Sequence, residues 1–187
     1  MDRGVEAALV EACGAGDSRA LRRLHDVHAP GLLKYLERVM GDPGRAEDVC
    51  QEAFLRLWRK AELFDPERGR FGAWLYRTAS NLAFNRMSVR SARETPIDPG
   101  MDTEVDTGGG PVTDAQQEER RSILMAALER LSPVDRAILT LRHLEERPVA
   151  EVAQILDLPE GTVKSRVHYA VRRLRRLLES TVGEWSG

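Results

Sequence analysis

Cysteine and aromatic side chains are scarce in this 187-residue chain, and long apolar runs are missing. Two cysteines, Cys13 and Cys50, are too few for a disulfide framework or a four-ligand zinc site. Both fit as small buried residues, with a redox role as the alternative. The longest apolar stretch, Ile123 to Leu128, falls far short of the roughly eighteen residues of a membrane span, and the first residues lack a basic-then-apolar signal pattern. No membrane insertion and a cytoplasmic location are therefore expected. Groups for catalysis are equally sparse. His25 and His28 could share a helical face, but His143 and His168 belong to a distant part of the chain, and no nucleophile, acid and base converge. The expectation is no enzyme, no catalytic site, no metal site and no cofactor. A His25/His28 metal site is the alternative, and it lacks further ligands nearby.

What the chain does have is charge, high and nearly balanced, with a net of −2. Few aromatics and many charges favour helices with solvated faces over sheet, so the expected fold class is all-α. The net charge alone argues against a nucleic-acid partner, but binding follows where charge sits. From Glu94 to Glu119 every charged residue is acidic, and from Gly161 to Leu178 every charged residue is basic.

Prolines and the run Gly108-Gly109-Gly110, with almost no large apolar residue, mark Thr95 to Thr113 as a stretch unable to bury enough surface to offset its ordering entropy. Residues 94–113 thus form a flexible acidic linker between two small helical domains, 1–93 and 114–187. In the first, helices are expected over Val5 to Cys13, Ser18 to Val39, Arg45 to Ala61 and about Phe71 to Arg90. The third buries Val49, Cys50, Ala53, Phe54 and Leu57 at helical spacing. Its opposite stripe carries Asp48, Gln51, Glu52 and Leu55. An apolar residue among acids and amides is either a stray exposed leucine or part of a partner surface. The fourth helix turns Trp74, Arg77, Asn81 and Asn85 away from its apolar side. That mixture suits single-stranded nucleic acid, where bases stack on aromatics and amides meet base edges, although a tryptophan is also a common core residue.

In the second domain Asp114 to Arg130 is one helix. Ser132-Pro133 starts another that runs through His143, and Arg147-Pro148 starts a third. Asp157-Leu158-Pro159 is the tight turn before the basic helix Gly161 to Leu178. Two short helices joined by such a turn, the second basic, describe a helix-turn-helix. Val163, Val167, Ala170, Val171, Leu174 and Leu178 are expected inward, which leaves Lys164, Ser165, His168, Tyr169 and Arg172 outward. Residues early in the helix suit base edges, and the later arginines, Arg173 among them, suit phosphates.

Leu158-Pro159-Glu160-Gly161-Thr162-Val163-Lys164-Ser165-Arg166, together with Leu131-Ser132-Pro133 and Leu141-Arg142-His143-Leu144-Glu145, resembles region 4 of bacterial RNA polymerase sigma factors of the extracytoplasmic-function (ECF) group in the sigma-70 family. Independently, Ala46 to Trp58 resembles region 2.2 of that family, and Phe71 to Arg90 resembles regions 2.3 and 2.4. The resemblance implies a transcription initiation factor that binds core RNA polymerase and directs it to promoter DNA. Asp48, Gln51, Glu52 and Leu55 would dock on the β′ clamp helices. Arg68, Phe71, Trp74, Arg77, Asn81 and Asn85 would bind and open the −10 element. Lys164, Ser165, Arg166, His168, Tyr169, Arg172 and Arg173 would bind the −35 element as duplex, beside a contact with the β flap. An anti-sigma factor is an expected partner. The acidic linker would thread polymerase channels or act as a plain tether. The rival reading is a stand-alone helix-turn-helix regulator, which has no use for the first domain's partner stripe.

Overall fold

The computed structural model describes residues 1–88 and 114–184, with side chains described for 1–88 and 122–179. Among these residues the secondary structure is helical throughout, as an all-α fold requires. The elements are α1 (Arg3–Gly14), α2 (Ser18–Met40), α3 (Pro43–Arg59), a 3₁₀ turn (Ala61–Leu63), α4 (Phe71–Arg86), α5 (Asp114–Glu129), α6 (Pro133–Leu139), a π turn (Thr140–Leu144), α7 (Val149–Leu156) and α8 (Glu160–Glu184). The acidic stretch 94–113 lies outside the described residues. None of the described helices is long and apolar enough to cross a membrane.

Side-chain caps explain most of the helix starts. Asp2, Asp17 and Asp42 each accept a backbone N–H of the first turn of α1, α2 and α3. Ser132 does the same for α6 by accepting from the Asp135 N–H, with Pro133 preset at the first helical position. The α7 start has no side-chain cap and relies on Pro148 at φ −60°. Two ends differ from expectation. The fourth helix stops at Arg86 rather than running to Arg90, because Ser88 takes a left-handed φ of 53°. The helix from Pro133 loosens into a π turn before His143, closed by the Glu145 N–H on the Thr140 carbonyl at 3.0 Å.

In the N-terminal part, α1 to α4 enclose Leu24, Leu32, Leu36, Val49, Leu57 and Leu75, all without solvent exposure. Tyr35 is equally buried, and its hydroxyl lies 2.7 Å from Ser80 Oγ. Ser80 donates its own proton to the Tyr76 carbonyl, so Tyr35 is the donor in that pair. The C-terminal part has a smaller cluster in which Leu128, Leu131, Leu139 and Ala170 join α5, α6 and α8.

The two parts do not stand apart. The larger core continues from α2 and α4 into Val134, Ile138 and Leu141, and on to Val152, Ile155 and Val163 of the helix-turn-helix. Polar contacts mark the same seam. The Arg147 guanidinium lies 4.0 Å over the Tyr76 ring, and Tyr76 donates its hydroxyl to Glu145 at 3.3 Å. Arg147 is also paired with Glu145 at 2.9 Å and with Glu151.

Both cysteines are buried and unpaired. Burial pushes the Cys50 thiol up to about 11 and raises Cys13 as well, with the Asp17 carboxylate adding to the second shift. A thiolate is the reactive form, so neither residue suits a redox role at neutral pH. In the folded protein both thiols should resist a colorimetric thiol reagent at pH 7.5. Two equivalents should react promptly once guanidinium unfolds the chain. Fast labelling of the native protein would show that these sites open.

Candidate nucleic-acid interface

The expected site residues fall on three surfaces, each set by the apolar stripe behind it. On α3, burial of Val49, Ala53, Phe54 and Leu57 turns Asp48, Gln51, Glu52 and Leu55 outward as one stripe at helical spacing. Leu55 is 43% exposed, unusual for a leucine among charged neighbours. Asp48 meets Arg86 of α4 at 3.3 Å, and Glu52 meets Arg56 at 3.7 Å. Beside the stripe, Ala29, Pro30, Leu33 and Cys50 line an open groove of about 540 Å³ between α2 and α3.

The second surface is α4 with the loop before it. Here Arg77, Asn81 and Asn85 are exposed, and Trp74 is half-buried. Trp74 is held by two rings, Phe71 stacked at 6.0 Å and Phe64 edge-on at 6.1 Å. Phe71 itself has no solvent exposure and also meets His28 edge-on at 5.1 Å. The structure thus corrects its place in the expected DNA-binding set. Phe71 is a core residue that positions Trp74, and its face is not available to a base. Arg68, by contrast, is a freely projecting side chain whose Nε reaches Asp65 at 3.2 Å. Phe64, Arg68, Trp74, Arg77 and Asn81, with Gln154 of α7, line a cleft of about 260 Å³.

Along α8, Lys164, His168 and Arg173 are exposed, and Tyr169 is partly so, set edge-on to His168 at 5.9 Å. Ser165 turns its hydroxyl back onto the Gly161 and Thr162 carbonyls, 3.1 and 3.0 Å away. Two of the arginines expected on DNA are instead inside. Arg166 is 2% exposed and gives Nη1 to Asp135 of α6 at 3.1 Å, and Arg172 is 7% exposed. Val171, expected inward, is exposed. The inward face of α8 runs through Val163, Arg166 and Ala170. It follows a straight helical row that admits an arginine where α6 offers a carboxylate.

His25 and His28 turn to different neighbours. His25 lies against Phe54 with ring centroids 4.9 Å apart, and His28 Nε2 is 3.0 Å from Glu6. Burial lowers the His28 pKa and Glu6 works against that shift. Among the described residues no three metal-binding side chains converge.

Three residues at the second surface were invisible to sequence reasoning. Gln154 of α7 donates Nε2 to the Arg68 carbonyl at 2.9 Å, and Asp157 Oδ1 lies 3.4 Å from Arg77 Nη2. Arg147 completes the set through Tyr76. Asp157 occupies the left-handed turn position, φ 56° and ψ 46°, a conformation that aspartate adopts more readily than most residues. No local pattern links these residues to α4, many tens of positions earlier in the chain.

A partner stripe, a polar-aromatic cleft and a basic helix-turn-helix on one chain define a transcription factor with separate protein and nucleic-acid surfaces. Comparison with known proteins says which kind. Residues 24–93 match the model of Sigma-70 region 2, and residues 121–174 match that of Sigma-70, region 4. The ECF RNA polymerase sigma factor SigL of Mycobacterium tuberculosis is 35% identical over 92% of this chain and 96% of its own. SigW of Bacillus subtilis, also an ECF RNA polymerase sigma factor, is 29% identical over 87% of this chain and 91% of its own. The solved structure of CnrH in complex with the cytosolic domain of CnrY shares the fold, with a TM-score of 0.68 at 22% identity over 94% of this chain and 98% of that one. The chain belongs to the sigma-70 family, in its ECF group of promoter-specific transcription initiation factors of RNA polymerase.

Burial separates the arginine roles. Arg166→Ala should leave Asp135 without its charge partner and cost about 3 kcal/mol in urea unfolding. Lys164→Ala should leave the unfolding curve in place and cost about 1–3 kcal/mol in binding promoter duplex by holoenzyme. A stable Arg166→Ala variant with weakened duplex binding would reverse the assignment.

Proposed function

We propose that the three surfaces divide the initiation reaction among them. The stripe Asp48, Gln51, Glu52 and Leu55 docks on the β′ clamp helices of core RNA polymerase. The cleft beside Trp74 takes an unstacked base of the −10 element, with Arg68 and Arg77 on the strand's phosphates and Asn81 and Asn85 toward base edges. Lys164, His168, Tyr169 and Arg173 of α8 bind the −35 element as duplex, and the same module touches the β flap. Residues 1–93 and 114–187 serve as the two working domains, with 94–113 as the connector between them. The chain acts in the cytoplasm as a binding and positioning factor without a catalytic site of its own, and an anti-sigma factor controls access to its polymerase-binding surface.

The observation that carries this reading is the second surface. Trp74 is buttressed by Phe64 and Phe71 yet open on its outer side, with cations and amides along the same helix. A regulator that binds only duplex DNA has no need of a rigid aromatic platform beside amides. A factor that stabilises a melted strand needs one, because stacking on an aromatic replaces the stacking lost in the duplex.

Leu55→Asp places a charge at the centre of the polymerase stripe and should weaken core binding by at least about thirtyfold, the loss of a hot-spot residue. Its melting temperature should hardly change, because Leu55 is not part of the core. Trp74→Ala in holoenzyme should leave core binding intact and reduce promoter opening, read by permanganate footprinting, by about 1–3 kcal/mol. Duplex binding and repression by the free protein, with no association with core, would overturn the reading.

A further inference from the structure

Three rings stand in a row behind the cleft. Phe71 stacks on Trp74 at 6.0 Å, and His28 of α2 meets Phe71 edge-on at 5.1 Å and 74°. Beyond His28 lies Glu6 of α1, its Oε1 3.0 Å from His28 Nε2 and its side chain only 9% exposed. The row therefore links α1, through α2, to the aromatic face on α4. Neither Glu6 nor His28 belongs to the expected DNA-binding residues.

The start of α4 depends on support of this kind. Side chains cap α1, α2, α3 and α6, and Pro148 presets the start of α7, but Arg70 at the start of α4 gives no side-chain cap. An uncapped first turn keeps its place through tertiary contacts. His28 provides them. Besides its edge on Phe71, its Cε1 and Nδ1 lie against Gly72, where an added Cβ would meet them at 3.8 and 3.9 Å.

Glu6 is not needed to dock α1, because Val10 and Cys13 already bury the apolar side of that helix. A carboxylate so far out of water costs free energy unless a partner offsets it. What it adds is direction, since an imidazole held by a carboxylate has a fixed ring orientation. Burial lowers the pKa of His28 against the pull of Glu6, so the ring is neutral at pH 7 and acts through shape and polarity rather than through charge. Its contact with Glu6 is close but bent, while its angle to Phe71 is nearer the perpendicular. One ring thus answers to both neighbours. We propose that Glu6 and His28 are positioning residues for the base platform: the carboxylate holds the imidazole, the imidazole holds Phe71 and the first turn of α4, and these hold the open face of Trp74. The proposal rests on reading the cleft beside Trp74 as the −10 base site.

The test reads the platform directly and then its use. In the full chain labelled with fluorotryptophan, the fluorine resonance of Trp74 is assigned with Trp74→Phe. Glu6→Gln keeps the shape of the side chain without its charge, and it should move the Trp74 resonance while that of Trp58 on α3 stays in place. His28→Ala should move it further. In holoenzyme, His28→Ala should lower promoter opening, read by permanganate footprinting, about three- to tenfold, and Glu6→Gln about two- to threefold, with core binding and −35 duplex binding at parent values. Both losses should disappear when Trp74→Ala is already present, because the pair acts only through Trp74. A loss that persists in that background marks a purely structural role and would overturn the proposal. So would a Trp74 resonance at its parent position in Glu6→Gln, the variant that carries the test alone if His28→Ala does not fold. Parent-level opening in both variants, where Trp74→Ala by itself is impaired, would do the same. Failure of the underlying reading shows separately: holoenzyme carrying Trp74→Ala would open promoters as well as the parent does.

Discussion

Arg147 is a cation taken largely out of water between two parts of the chain. Its guanidinium lies over the Tyr76 ring, with Glu145 and Glu151 on its nitrogens, and its side chain is 18% exposed. Burial disfavours the charge of such a group, but the Glu145 hydrogen bond and the attraction of Tyr76, Glu145 and Glu151 outweigh that, so its pKa is raised. Its contribution is register. Burial of apolar surface has no direction, whereas the fork of Arg147 and the Tyr76–Glu145 hydrogen bond fit in one position. That position decides which residues of α7 overhang the cleft.

The placement of α7 has a consequence for how the molecule works. The elements that meet promoter DNA are built on rigid helices with their cores behind them, so little local rearrangement is needed for binding. The seam itself is apolar and buried, running from Ile138 and Leu141 to Val152 and Ile155, with the Arg147 contacts at its margin.

Most helices were legible because their signals are local. The Ser132-Pro133 start and the 3.6-residue apolar spacing act over a few residues, and the structure follows them. The outward positions of Leu55, Arg77, Asn81 and Lys164 followed from the same periodicity. Reading failed where a polar or aromatic type was taken as a sign of exposure. The family resemblance puts Phe71 in the DNA-binding set, yet it is the buttress behind the Trp74 platform. Helical spacing sets Arg172 outward and the family resemblance adds Arg166 to the basic face, yet both side chains are buried. An arginine stem is largely apolar, and α6 supplies Asp135 where the head of Arg166 arrives.

By itself the sequence determined the helices, the stripes they must hide and the two family-like segments, because periodicity and capping are properties of neighbours along the chain. Only the tertiary structure decided which hidden stripe meets which. Contacts such as Gln154 with Arg68, 86 positions apart, or Tyr76 with Glu145, 69 apart, leave no mark in any local window. The apolar pattern states that α4 and α7 each have a face to bury, and the hydrophobic effect that buries it has no direction. The choice of partner comes from shape and from a few buried polar groups whose geometry admits one answer, and that choice placed Gln154 over the cleft.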